Sequence, residues 1–273
     1  VERLRQLVRI DTTNPPGREL VAAQWMAEEI AAAGLEPRVL ESAPGRGSVV
    51  TRLVGTGVEP PLLLMSHLDV VPVEESSWSH PPFGAEVHDG YIWGRGTLDT
   101  KNLTTQHLTV LLLCRRLADA GTALPRDLIL MATADEEVGG ELGAHWLVDH
   151  HADLIRAEYA LNEGGGSAFV LGGREYMTVQ TAEKGLARFT LRARGPVGHA
   201  SVPRDDNAVV RLAEAVAALG HARLPVHLTP TMREWLTVIA DTQPSAVART
   251  VHALLEDPAR FDELAAALPL DDE

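Results

Sequence analysis

Apolar residues recur along this chain with more than one period, and each period predicts a different element. From Arg18 to Ala33 they fall at helical spacing, after the breaker Asn14-Pro15-Pro16-Gly17 and before Gly34, which is placed to end the helix. Three short apolar runs follow, Ser48–Val54, Leu62–Met65 and Asp127–Ala134, each bounded by Gly, Pro or charge. Such runs predict strands buried on both faces, and Thr100–Ala120 predicts a crossover helix between two of them. The order is α/β.

The pattern changes near Glu183. Across Gly185–Arg194, Leu186, Arg188, Thr190 and Arg192 alternate with Ala187, Phe189, Leu191 and Ala193, which predicts a half-exposed strand. Helical spacing returns in Asp205–Leu219, Met232–Ala240 and Pro244–Leu255. Two domains are therefore expected, a metal-binding unit over 1–182 and a smaller one over 183–273. There is no internal repeat or low-complexity tract.

Composition narrows the function class. The net charge is -14 over 273 residues, with no basic block, so a nucleic-acid or anionic-membrane surface would repel the chain. No run approaches the ~20 apolar residues of a bilayer span. Val1-Glu2-Arg3-Leu4-Arg5 forms neither a signal nor a transit peptide, although the missing initiator Met reads as a trimmed start. Cys114 is alone, which excludes an internal disulfide and fits a reducing, cytoplasmic compartment.

The chemistry sits after the apolar runs. His67 and Asp69 follow Leu62–Met65, and residues two apart on a strand share a side, so Asp69 can orient the His67 ring while its other nitrogen meets a cation. Asp99 follows the turn-prone Gly94-Arg95-Gly96, Glu136 and Glu137 follow Asp127–Ala134, and Glu163 precedes Gly164-Gly165-Gly166. In an α/β sheet the carboxyl ends of strands are where sites form. Two cations roughly 3.5–4 Å apart need a bridging anion, the role that fits Asp99. Of the adjacent acids Glu136 and Glu137, one can bind metal while the other handles protons, and Glu163 adds an oxygen ligand. Singly, each has a plainer reading: a strand-end histidine, a turn-capping aspartate, a helix cap at Asp99, a solvated face at Glu136-Glu137. His80 and His88 read as loop residues.

Together with those positions, Ser66-His67-Leu68-Asp69-Val70-Val71-Pro72, Trp78 through Phe83, Asp89 through Lys101, Ala134 through Gly140, Asn162-Glu163-Gly164-Gly165 and Gly198-His199-Ala200-Ser201 carry a family resemblance. The chain resembles the co-catalytic zinc metallopeptidase family of aminoacylase, carboxypeptidase S, glutamate carboxypeptidase and succinyl-diaminopimelate desuccinylase, nearest in motif to the carboxypeptidase S branch. The resemblance implies a zinc-peptidase-like mixed sheet flanked by helices, with an inserted smaller α+β lid or dimerisation domain. It implies two zinc ions, with cobalt or manganese also suited to the ligands. His67 and Glu163 would bind one ion and Glu137 the other, with Asp99 bridging. Asp69 would orient His67, and Glu136 would be the general base for a zinc-activated water that attacks the amide of a small peptide or N-acyl amino acid. It further implies a homodimer through the lid, with His199 reaching a substrate carbonyl. A two-metal aminopeptidase and a non-catalytic dimerisation or binding module are the alternatives.

The sequence departs from the family pattern at Ser66, where Gly is usual, and at Thr100, where a second acid is common. The family completes its second metal site with a late histidine. His221, His227 and His252 do not match that motif, so the chain is expected to be part of a longer enzyme and inactive by itself.

Overall fold

The computed structural model describes residues 1–185, 187–199, 201–243 and 245–266. Leu186, Ala200, Pro244 and the last acidic residues lie outside them. Compact packing divides the chain into two units, Val1–Glu163 and Gly164–Glu273.

The first unit runs α1 (Glu2–Arg9), α2 (Glu19–Ala32), β1 (Arg38–Ala43), β2 (Arg46–Leu53), β3 (Leu62–His67), β4 (Glu86–His88), β5 (Tyr91–Trp93), α3 (Lys101–Asp119), β6 (Leu128–Thr133), α4 (Ala144–Ile155) and β7 (Tyr159–Leu161). Its main sheet has the order β1-β2-β6-β3-β7. β3 is parallel to β6 and β7, whereas β2 is antiparallel to both β1 and β6. The sheet is thus mixed, with α3 in the crossover from β3 to β6.

The apolar runs are continuous because both faces are covered. Val49, Leu64 and Leu130 pack with Leu7 of α1, Met26 and Ile30 of α2, and Leu108 and Leu111 of α3. Their neighbours Val50, Leu63, Ile129 and Met131 pack on the other face with Leu147 and Ile155 of α4. Alternate residues on one strand thereby enter two separate cores. The expected helix over 18–33 and the three expected strands are all present, with ends shifted by a few residues.

The second unit contains the hairpin β8 (Ala168–Leu171) and β9 (Arg174–Met177), then α5 (Ala208–His221), α6 (Pro230–Thr242), α7 (Ser245–Glu256) and α8 (Phe261–Ala265). Leu236 and Ile239 of α6 meet Val247, Val251 and Leu254 of α7, and Phe169, Leu171 and Tyr176 of the hairpin pack against them. The strand expected over 185–194 is a correction: the described part of that segment belongs to none of the three sheets. Alternation selects a face, but a strand also requires a neighbour to complete its backbone ladder.

Candidate metal centre

The parallel strands β3, β6 and β7 deliver the candidate residues at one edge of the sheet. His67 is the last residue of β3, Glu136 lies three residues beyond β6, and Glu163 two beyond β7. The β3–β6 pairing continues into the Leu68 N–H bond to the Thr133 carbonyl, at 2.8 Å, so the two loops leave in register. The 12–14 segment pairs alongside: Val70 N–H donates to the Thr12 carbonyl and Asn14 N–H to the Val70 carbonyl.

Asp99 arrives differently. The 94–97 turn is closed by the Thr97 N–H bond to the Gly94 carbonyl, at 3.3 Å, and Lys101 N–H donates to the Gly96 carbonyl, at 2.9 Å. Gly96 has φ +86°, and a Cβ there would sit 3.0 Å from both Lys101 Cδ and Val70 Cγ1. Only a residue without a side chain keeps this turn tight. It places Asp99 two residues before α3, with its carboxylate near His67 at the end of β3.

These residues converge on His67 Nε2. Asp99 Oδ1 is 3.0 Å away, Glu163 Oε1 3.3 Å and Glu136 Oε2 3.9 Å. Donor atoms of His67, Glu136 and Glu163 form one group within 4.8 Å, and those of His67, Asp99 and Glu137 form another. One imidazole and four carboxylates suit a borderline divalent cation such as zinc, cobalt or manganese. The residues present fit such a group.

Asp69 works mainly through the backbone. His67 Nδ1 lies 3.0 Å from the Asp69 main-chain carbonyl and 3.4 Å from its carboxylate. The fully buried carboxylate instead accepts from the N–H groups of Glu136 and Glu137, each at 3.1 Å, and from Asn14 Nδ2 at 2.8 Å. A single side chain therefore ties the end of β3 to the loop carrying both glutamates.

The charges respond to this crowding. Burial pulls the His67 imidazole down, but hydrogen bonds and charges from Asp69 and Glu163 outweigh it and raise the group to about 11. Burial works to raise Asp69, yet bonds from His67 and Asn14 hold it below the usual carboxylate range. The hydrogen bond with His67 keeps Glu163 low. Burial, then the Asp99 charge, pushes Glu137 up to about 7, and burial also raises Glu136 against the opposing His67.

Behind these candidate ligands lies a set of buried polar residues that hydrophobic periodicity does not reveal. Asp135 has φ +72° and accepts from Arg46 Nη2 at 2.6 Å, from Leu142 N–H at 2.9 Å and from Asn14 Nδ2 at 3.3 Å. Arg46 in turn donates two bonds to Glu19, at 2.8 and 2.9 Å. The only signal in the sequence was Glu19 within the helical apolar pattern over 18–33, since charges are rarely buried unless paired. Ser66, the departure from Gly, is accommodated because its hydroxyl accepts from Thr104 Oγ1 at 2.9 Å.

His199 belongs to the second unit, where it is exposed. Ser201 N–H donates to its Nδ1 at 3.2 Å. With Nδ1 accepting that bond, the ring's donor is placed at Nε2.

A profile of the peptidase family M20/M25/M40 matches residues 63–247. The chain belongs to this family. It is a family of peptidases. Aminoacylase-1 from Pongo abelii is 35% identical over 226 residues, covering 80% of this chain and 52% of that protein. The N-fatty-acyl-amino acid synthase/hydrolase PM20D1 of Xenopus tropicalis is 34% identical over 172 residues, covering 60% of this chain and 32% of that protein. The chain thus spans about half the length of the aminoacylases it matches. The M20 family metallo-carboxypeptidase Sso-CP2 from Sulfolobus solfataricus shares the fold, with TM-score 0.60 and 19% identity over 94% of this chain and 61% of that one.

Proposed function

We propose that this chain carries the catalytic residues of a two-metal hydrolase that cleaves the amide bond of a small peptide or N-acyl amino acid. The observation that supports it best is the convergence of Asp99, Glu163 and Glu136 on His67 Nε2, with Glu137 beside Asp99. His67 and Glu163 would hold one cation, Glu137 the other, and Asp99 both. Zinc is the proposed ion, with cobalt or manganese as substitutes. Bound there, the cations supply Lewis acidity that polarises an amide carbonyl and acidifies water.

Glu136 then does the proton work. It takes the proton of the attacking water and returns it to the departing amine nitrogen, which needs a carboxylate near the metals but not fully committed to them. Its Oε2 is the farthest of the three carboxylate oxygens within 4 Å of His67 Nε2, at 3.9 Å. Asp69 fixes the main chain of Glu136 and Glu137. His199 is proposed to donate its Nε2–H to the substrate carbonyl from a lid and dimerisation domain over 183–273, in a homodimer joined through that lid. Residues 1–182 form the catalytic domain in this reading. The motif spelling favours the carboxypeptidase S branch, and the aminoacylase relatives favour an N-acyl amino acid substrate.

Glu136→Gln tests the assignment in the complete native polypeptide. Amide hydrolysis is expected to fall by about 10²–10⁴-fold while metal content stays unchanged. Unchanged turnover would remove Glu136 from its role.

A further inference from the structure

Away from the metal centre, the hairpin formed by β4 and β5 gathers a separate set of ligating side chains. Glu86 and His88 are two apart on β4 and so share a face. His80, from the preceding loop, folds back so that its ring stacks on His88, with centroids 4.0 Å apart and planes 13° apart. Glu86 Oε2 lies 2.8 Å from His88 Nε2 and 3.6 Å from His80 Nδ1. Three donor atoms, one from each residue, lie within 4.8 Å of one another, and none belongs to the His67 centre. Trp93, the cross-strand partner of Glu86, has its ring 4.6 Å from that of His80.

We propose that His80, Glu86 and His88 form a further binding site for a divalent transition-metal ion of the zinc and nickel type. Two imidazole nitrogens and one carboxylate oxygen favour these ions over calcium or magnesium, which prefer all-oxygen shells. Ligand bonds of ~2.0–2.2 Å require the three donors to draw slightly together. Their side chains are 25%, 44% and 42% exposed, so they can turn to do so. Three protein ligands leave a fourth tetrahedral position open. His80 also lines a surface cleft of about 560 Å³ with Trp78, Pro81 and Phe83, which gives water or a small anion access to that position. The bound ion pins the 78–84 loop to the hairpin.

The test is a NiCl2 titration of protein stripped with a chelator and reloaded with only the two equivalents of zinc that the His67 centre takes, following tryptophan emission and counting bound nickel by equilibrium dialysis. One added nickel per chain is expected, with quenching that Trp93→Phe abolishes. Loss of outer-shell partners alone costs metal sites about 10–100-fold in affinity. The double variant H80Q/H88Q, which removes two ligands, is expected to lose at least as much while keeping its far-ultraviolet circular dichroism. Glu86→Gln, which keeps both imidazoles, serves if the double variant does not fold, and is expected to weaken nickel binding about tenfold. D99N/E137Q, altered in the other centre, should keep the Trp93 response. No added nickel in the native chain, or equal nickel affinity in whichever of H80Q/H88Q and E86Q folds, would overturn the site.

Discussion

Asn14 and Arg46 decide how the candidate site is held. Asn14 Nδ2 reaches both Asp69 and Asp135, and Arg46 joins Asp135 to Glu19, so one chain of polar contacts runs from α2 to the end of β3. Glu19 and Asp69 are fully buried and Arg46 is 7% exposed. Removing one partner from such a set leaves the others charged and unsolvated. Arg46→Met is therefore expected to cost about 3–5 kcal/mol in urea unfolding, because two buried carboxylates lose their cation. The same variant should bind metal more weakly, since Asp135 adjoins Glu136 and Glu137. The histidine and acids of the centre were legible because they follow strand ends in a recognisable order. The supporting residues were not: Asn14 reads as part of a breaker and Arg46 lies just before the predicted strand Ser48–Val54, and their meaning comes only from contacts made across long sequence separations.

At the scale of elements, strands covered on both faces and amphipathic helices declared themselves. The run Leu62–Met65 predicts β3, and the spacing over 100–120 predicts α3. Short or half-exposed elements did not, because β7 and the β8–β9 hairpin carry too few buried residues to create a period. α4 was equally hidden, with only Leu147 and Ile155 buried. Its first turn nevertheless constrains the site. A Cβ on Gly143 would lie 1.7 Å from the Ala134 carbonyl oxygen, so Gly143→Ala must displace the loop carrying Glu136 and Glu137. A fall in melting temperature together with weaker metal binding is expected, by calorimetry and dialysis.

α3 also carries a pH signature. His107 is buried, its Nδ1 has no hydrogen-bond partner, and burial lowers its pKa below 6.5. Between that lowered value and 6.5 the unfolded chain binds more protons than the folded one, so stability rises with pH there. The contribution is complete above 6.5 and is lost as pH falls. His107→Leu should flatten this part of a pH series of urea midpoints.

On the scale of the whole molecule, 38 acidic against 24 basic residues leave the chain at -14, and five of the acids converge with His67. No helix among the described residues is long and apolar enough to cross a membrane. Cations that bind only the folded state raise its stability by mass action, about 2.7 kcal/mol at 100 times their dissociation constant. Chelation should accordingly lower the melting temperature of the native protein, and Asp99→Asn should shrink that difference. The order of strands and helices made the α/β class of residues 1–163 legible, since each strand and its crossover are local, while the mixed character of the sheet was implied by the family resemblance. How a lid engages substrate depends on long-range placement that periodicity does not encode.

Elemental analysis of the complete native polypeptide, dialysed against zinc in the H80Q/H88Q background, addresses the central claim most directly. About two zinc ions per chain are expected, falling when Asp99 is changed to Ala, with amino acid release from N-acyl substrates that a chelator stops. No bound zinc and no turnover in that protein would contradict the two-metal hydrolase.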